Sequence, residues 1–153
     1  MTGRRLRDSA GVTLVELVVT LAIVLTAATL VLPAIGRGTE ALRLRSEAGR
    51  VAALLREARL RAITQHRPTH VELDRARSTV ALTVGEAAEP ARRVDLPPGL
   101  RLSAAEGFDR LTFSPRGLTR DTRWIVEGAG QRRLAIEVAG VSGRVTVAVP
   151  SRP

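Results

Sequence analysis

The sequence has no cysteine, no lysine and no tyrosine. Without cysteine there is no disulfide to staple the fold and no thiolate metal site. The aromatics are Phe108, Phe113 and Trp124, too few to build a platform on which nucleic-acid bases stack. The two histidines, His66 and His70, are four apart but straddle Pro68, so they do not share one helix face. The acids are dispersed and form nothing like the oxygen-rich loop that a calcium ion needs. A phosphate-cradling glycine motif and a nucleophile elbow are both missing. No metal, no cofactor and no catalytic residue is expected, and the chain reads as a non-enzyme.

What is present is basic and aliphatic. All 24 basic residues are arginine, against 15 acids, for a formal charge of +9. With so much alanine, valine and leucine beside it, this usage reads as that of a GC-rich genome. A surface of this charge suits nucleic acid or an anionic membrane, and equally suits plain solvation.

One stretch organises the rest. Residues 12–35 carry a single charge, Glu16, and follow a leader containing Arg4, Arg5 and Arg7. As a helix these 24 residues would be roughly 36 Å long, enough for a bilayer core of about 30 Å. The arginine bias would hold the leader in the cytoplasm and send the rest across. A secretory signal has a shorter apolar region followed by a small-residue cleavage site. Ala34-Ile35-Gly36 could supply such a site, so a secreted soluble protein is a rival reading. Glu16 also has two readings. In Thr13-Leu14-Val15-Glu16 it fits a capping box, with a carboxylate well placed in the first turn. A charge inside a membrane helix, however, costs on the order of 2.5–3.5 kcal/mol and usually marks a partner. Pro33, with Gly36 and Gly38 after it, predicts a bend or loosened turn at residues 33–38.

From Thr39 to about Gln65 the pattern is helical. Leu44, Ala48, Val51, Leu55, Ala58 and Ala62 form one stripe, widened by Leu54 and Ile63, with arginines and glutamates on the other face. Glu57 and Arg61 are placed to pair one turn apart. After Pro68 the period becomes two. Residues 69–73 and 79–84 read as a hairpin around Asp74-Arg75-Ala76-Arg77-Ser78. Further candidate strands are 92–96, 100–102, 111–113, 124–127, 134–138 and 145–149, separated by Pro- and Gly-rich turns. The predicted architecture is α+β, one helix lying across an antiparallel β lobe. Its expected divisions are a leader (1–11), a transmembrane helix (12–35), an amphipathic helix (36–66) and a β lobe (67–153).

Gly11-Val12-Thr13-Leu14-Val15-Glu16-Leu17, with the later Pro33, resembles the class III signal of type IV pilins and pseudopilins. Val12 departs from the phenylalanine usual there. Ala58-Arg59-Leu60-Arg61-Ala62-Ile63, a β pair, Leu111-Thr112-Phe113-Ser114-Pro115-Arg116-Gly117 and Ser142-Gly143-Arg144-Val145 then resemble the GspH/FimT pseudopilins over nearly the whole chain. The resemblance implies a pilin-like fold and cleavage by a prepilin peptidase between Gly11 and Val12, with methylation of the new Val12 terminus. It also implies an ion pair between Glu16 and the Val12 amine of a neighbouring subunit. The implied setting is a single-pass inner-membrane protein with a periplasmic lobe, whose partners are the peptidase and other pseudopilins or pilins. Major pseudopilins typically bind calcium near the C-terminus, and the lack of such a site favours a minor subunit of a type II secretion pseudopilus, acting at its tip. A FimT-like minor pilin that grips DNA for uptake is the alternative. Its DNA contacts would rest on Arg132, Arg133, Arg144 and Arg152, although Thr146 stands where DNA-binding members carry a second arginine.

Overall fold

A computed structural model describes residues 13–150, with side chains outside 30–37. The chain divides into two compact units, residues 1–38 and 39–153. One helix, α1 (Leu14–Thr64), contributes to both. Thr13 caps it: the hydroxyl accepts the Glu16 N–H at 3.2 Å, and the Thr13 carbonyl accepts the Leu17 N–H at 3.1 Å. The sequence predicts separate helices over 12–35 and 36–66, whereas α1 is a single element through Pro33. A proline deletes one helical hydrogen bond, and the bonds on either side can carry the helix past it. The loosened turn expected at residues 33–38 is absent from α1, which is helical through these positions.

Within the second unit the predicted stripe is buried. Leu44, Ala48, Val51, Leu55, Ala58 and Ala62 are all buried, and Leu54 and Ala52 join them. These positions span about 160° at 100° per residue, wider than a single contact face requires. The reason lies in the strands. α1 ends at Thr64, and His66, with φ 53°, takes the left-handed cap position two residues before Pro68.

Eight strands follow, each overlapping a predicted one: β1 (Thr69–Asp74), β2 (Thr79–Val84), β3 (Arg92–Asp95), β4 (Arg101–Ala104), β5 (Arg110–Phe113), β6 (Thr122–Glu127), β7 (Arg133–Ala139) and β8 (Arg144–Ala148). They form two antiparallel four-stranded sheets, ordered β3-β2-β1-β5 and β4-β6-β7-β8. The β1–β2 hairpin pairs Thr69 with Val84 and Asp74 with Thr79. At its turn the Asp74 carboxylate accepts the Arg77 N–H at 3.1 Å. The long connections depart from the meander that chain order suggests. β5 leaves its neighbours in sequence to join β1, with Thr69 opposite Phe113, while β4 pairs with β6.

Both sheets turn apolar residues toward α1. Val71, Val80, Leu82, Leu111 and Phe113 come from the first sheet, and Trp124, Val126, Ile136, Val138 and Val145 from the second. Each fully buried side chain of this size contributes about 1.5–3 kcal/mol, so this shared core outweighs the surface ion pairs. α1 is tied to each sheet by an arginine–acceptor contact: Arg92 of β3 pairs with Glu57, and Arg56 donates to the Val145 carbonyl of β8 at 3.0 Å. The predicted Glu57–Arg61 pair forms at 2.7 Å between half-buried side chains on the surface of α1, a contact worth about 1 kcal/mol or less. The irregular segment before β5 is fastened by Trp124, whose indole N–H donates to the Phe108 carbonyl at 3.0 Å.

Candidate functional site

Three groups of residues carry functional expectations. The first is the start of α1. Leu14, Val15, Leu17, Val18, Val19, Leu21, Ile23, Val24 and Leu25 are each more than half exposed, on every side of the helix. A helix apolar all round requires a nonaqueous or protein environment that the chain itself does not supply. The polar residues here are muted. Thr20 donates to the Glu16 carbonyl at 2.8 Å, Thr26 to Ala22 at 2.8 Å and Thr29 to Thr26 at 2.7 Å. Only half of the capping box forms. Thr13 caps the helix, but the Glu16 carboxylate makes no hydrogen bond or ion pair among the described residues. Gly11 and Val12 lie outside the described residues. Among the described residues no helix is long and apolar enough to cross a membrane. The 24-residue apolar run of the sequence begins before them and continues into 30–35, whose side chains are not described.

The second group is the pair of glycine-containing turns. The Phe113-Ser114-Pro115-Arg116-Gly117 turn leaves β5, and the Gly140–Gly143 turn joins β7 to β8. Sequence places them far apart, yet they meet. A Cβ on Gly143 would stand 2.2 Å from the Gly117 carbonyl oxygen and 2.6 Å from Arg59 Nε. Arg59 itself donates to that carbonyl at 3.3 Å. Ser114 closes its turn by accepting the Gly117 N–H on its carbonyl at 2.8 Å and the Leu118 N–H on its hydroxyl at 3.2 Å. Gly140 is held from both sides, donating to Asp121 at 2.9 Å while its carbonyl accepts Thr119 N–H at 3.1 Å. The motifs therefore form a junction that fastens β5, the β7–β8 turn and α1 together. The Gly143 and Arg59 signals were present in the sequence, but their meeting is a tertiary fact.

The third group is the arginines. Arg132 and Arg133 sit at the start of β7 and Arg144 opens β8, beside Ala139 at the other end of β7. Six residues of strand separate them by roughly 20 Å. Arg133 pairs with Glu127 at 2.8 Å. Arg144 is exposed and its side chain has no carboxylate partner among the described residues. Arg152 lies outside the described residues. The four do not form one patch. His70 bonds Thr112 Oγ1 at 2.9 Å across the β1–β5 pair. Among the described residues no cluster of three metal-ligating side chains occurs.

The family described as type II transport protein GspH matches residues 47–143. That span starts in the buried arc of α1 and ends on Gly143 of the turn junction. The chain belongs to the GspH family. No curated protein sequence matches it. Solved structures of this fold agree. The type IV minor pilin FimU of Pseudomonas aeruginosa aligns at 22% identity over 71% of this chain and 90% of its own, with a TM-score of 0.61. The minor pseudopilin EpsH of the Vibrio cholerae type 2 secretion system aligns at 14% identity over 72% and 99%, with a TM-score of 0.58. GspH of E. coli aligns at 18% over 73% and 93%, with a TM-score of 0.52. This member of the GspH family thus has the pilin-like fold, a helix packed on antiparallel sheets. It shares that fold with subunits of both a secretion system and a pilus, which are structural proteins.

Proposed function

We propose that this GspH-family chain is a minor pseudopilin, a structural subunit that helps initiate the pseudopilus of a type II secretion system from its tip. It would be made with the 1–11 leader, anchored in the inner membrane by residues 12–35, and cut between Gly11 and Val12 by a prepilin peptidase. Methylation of Val12 and a lobe in the periplasm complete the reading. The observation that carries it is the first part of α1, where exposed aliphatic side chains surround a carboxylate that the Thr13 cap leaves unused. An amine at Val12 and the Glu16 carboxylate are each costly in hydrocarbon, and each lowers the other's cost where they meet. Within one helix they sit about one turn apart. Between neighbours, a subunit shifted along the axis brings them together and so sets its register.

The test uses the full chain and its Glu16→Ala variant, expressed with an active prepilin peptidase. Intact mass should show both starting at Val12. Engineered cysteines on neighbouring subunits should crosslink in the wild type and lose most of that crosslinking in Glu16→Ala. A mature chain beginning at Arg37 would refute the anchor, and equal crosslinking would reduce Glu16 to a residue of the helix start.

The runner-up is a FimT-like minor pilin that binds DNA, favoured by the exposed guanidinium of Arg144, which has no carboxylate partner among the described residues. Thr146 in place of a second arginine and the separation of Arg144 from Arg132 and Arg133 weigh against it. The expected result is weak binding without sequence preference, falling steeply with salt. Tight binding at physiological salt that is lost in Arg144→Gln would promote this reading over the first.

A further inference from the structure

The edge strands of the two sheets are β3 and β5 in the first and β4 and β8 in the second. The first three are four residues long, and β3 carries Arg92, Arg93 and Asp95. Short length and charge are the means by which sheets keep other strands away. β8 departs from this. It runs five residues in unbroken register with β7. After Arg144, the sequence Val145-Thr146-Val147-Ala148-Val149 is uncharged as far as Pro150 and rich in β-branched residues. Arg56 identifies the free side of β8, since it donates to the Val145 carbonyl. In an antiparallel ladder a residue turns its N–H and C=O to the same side, and alternate residues share that side. Val147 therefore turns both backbone groups away from β7.

The two faces at this edge differ. On the face toward α1, exposure climbs from 5% at Val145 to 37% at Val147 and 72% at Val149. A groove of about 310 Å³ opens there, lined by Val149 and Leu134, by Ala41 and Leu44 of α1, and by Arg45. On the outer face, the interior arginines meet acids across the strands. Arg123 pairs with Glu137 and Arg133 with Glu127, each at 2.8 Å. Arg144 lies opposite Ala139 and has no carboxylate partner among the described residues. A cavity of about 450 Å³ adjoins it, beside Thr146 and Phe108.

We infer that β8 is a docking edge, to which an extended segment of another protein adds as a fifth strand of the second sheet. Main-chain bonds at Val147 supply the attachment, and alternate side chains supply the selection. Residues on the α1 side enter the apolar groove. The residue opposite Arg144 on the outer face is acidic, since opposite charges across a strand pair stabilise it. Arg144 and Val149 are five positions apart and lie on opposite faces, so the segment carries an acid and an apolar residue at that spacing. A second copy of β8 contains no acid to offer Arg144, which points to a different protein. The edge lies within residues 39–153 and does not depend on the proposed anchor.

The probe is the acetylated, amidated hexapeptide Val-Ser-Val-Thr-Val-Glu, with its reversed sequence for the parallel orientation, offered to the full chain in an uncharged detergent. The chain has no cysteine, so Ala148→Cys provides a single thiol. A cysteine replacing the peptide's serine, the residue facing Ala148 on the outer side, should form a disulfide with it in one of the two orientations. A cysteine replacing either adjacent valine should not. Val147→Pro removes only an outward N–H, a place where an edge strand tolerates proline. Its melting temperature should stay close to wild type while peptide binding is lost. Arg144→Gln should weaken binding of the peptide roughly threefold and leave a glutamine-ended version unchanged. Crosslinking without alternation, or a folded Val147→Pro chain that binds undiminished, would overturn the inference. A disulfide-linked dimer of the Ala148→Cys chain that excludes the peptide would overturn it in favour of a second copy. The cysteine pattern decides the matter even if the proline lowers stability.

Discussion

Leu55→Asp is expected to leave the β lobe without a cooperative fold. Leu55 is 1% exposed and sits at the middle of the buried arc of α1, between the two sheets. An ionised carboxylate there has no cation within the core, and the cost of an unpaired buried charge is several kcal/mol. Losing the leucine's own burial adds about 2–3 kcal/mol. Domains have only about 5–15 kcal/mol in hand. Leu60→Asp is the control, five residues on along the same helix but 60% exposed, and it should change stability by about 0.5 kcal/mol or less. Trp124 is the only tryptophan and is 1% exposed, so its emission reports the core directly. Leu55→Asp should give the red-shifted emission of an exposed indole from the outset. A variant with wild-type emission and an unchanged melting temperature would show that the stripe faces something other than the sheets.

The second large effect is expected at the turn junction. Gly143 has φ +64°, and a Cβ there would stand 2.2 Å from the Gly117 carbonyl oxygen. Gly143→Ala therefore meets two penalties. A left-handed backbone costs a non-glycine residue about 1–2 kcal/mol. The clash falls on backbone rather than on a side chain that can swing aside, and overpacking of this kind costs about 1–3 kcal/mol more. A loss of about 3–4 kcal/mol should lower the melting temperature by on the order of 10–15 °C for a lobe of this size. Gly130→Ala separates the two terms. Gly130 has φ +67° and nothing within 4 Å of its added Cβ, so it should lose only the backbone term of about 1 kcal/mol, a few degrees. Equal losses at the two glycines would mean that the close approach at Gly143 is relieved without cost.

The strands were legible because each turns one side to the core, which imposes a period of two on the residues. Alternation of Val71 and Leu73 with His70 and Glu72 is enough to place β1 and its hairpin partner. The division into two sheets was not legible. It depends on β5 crossing back to β1 and on β4 reaching β6, and no local pattern records a partner forty residues away. The same limit explains Ala52. In a stripe packed on one sheet it would lie at the margin, and between two sheets it is buried. The candidate DNA-contacting arginines show the same limit. Arg133 and Arg144 are eleven positions apart in sequence, and β7 carries them to its two ends. The glycine motifs were recognisable as turns, while their contact with each other and with Arg59 belongs to the tertiary structure alone. Glu16 was placed correctly at the helix start, yet its freedom from the cap follows only from the geometry at Thr13.

The contact between Arg56 and Val145 spans 89 positions of sequence. α1 is the first part of the lobe to leave the ribosome, and β8 is the last. The helix thus emerges with its apolar arc bare and cannot complete its burial until β8 has followed. Folding dominated by such distant pairings is slow, and the waiting surface is open to aggregation. With no cysteine to lock an early intermediate, assembly of the lobe becomes a single late event. A chain truncated just before β8 would then be expected to fail as a whole, including the strands it still contains.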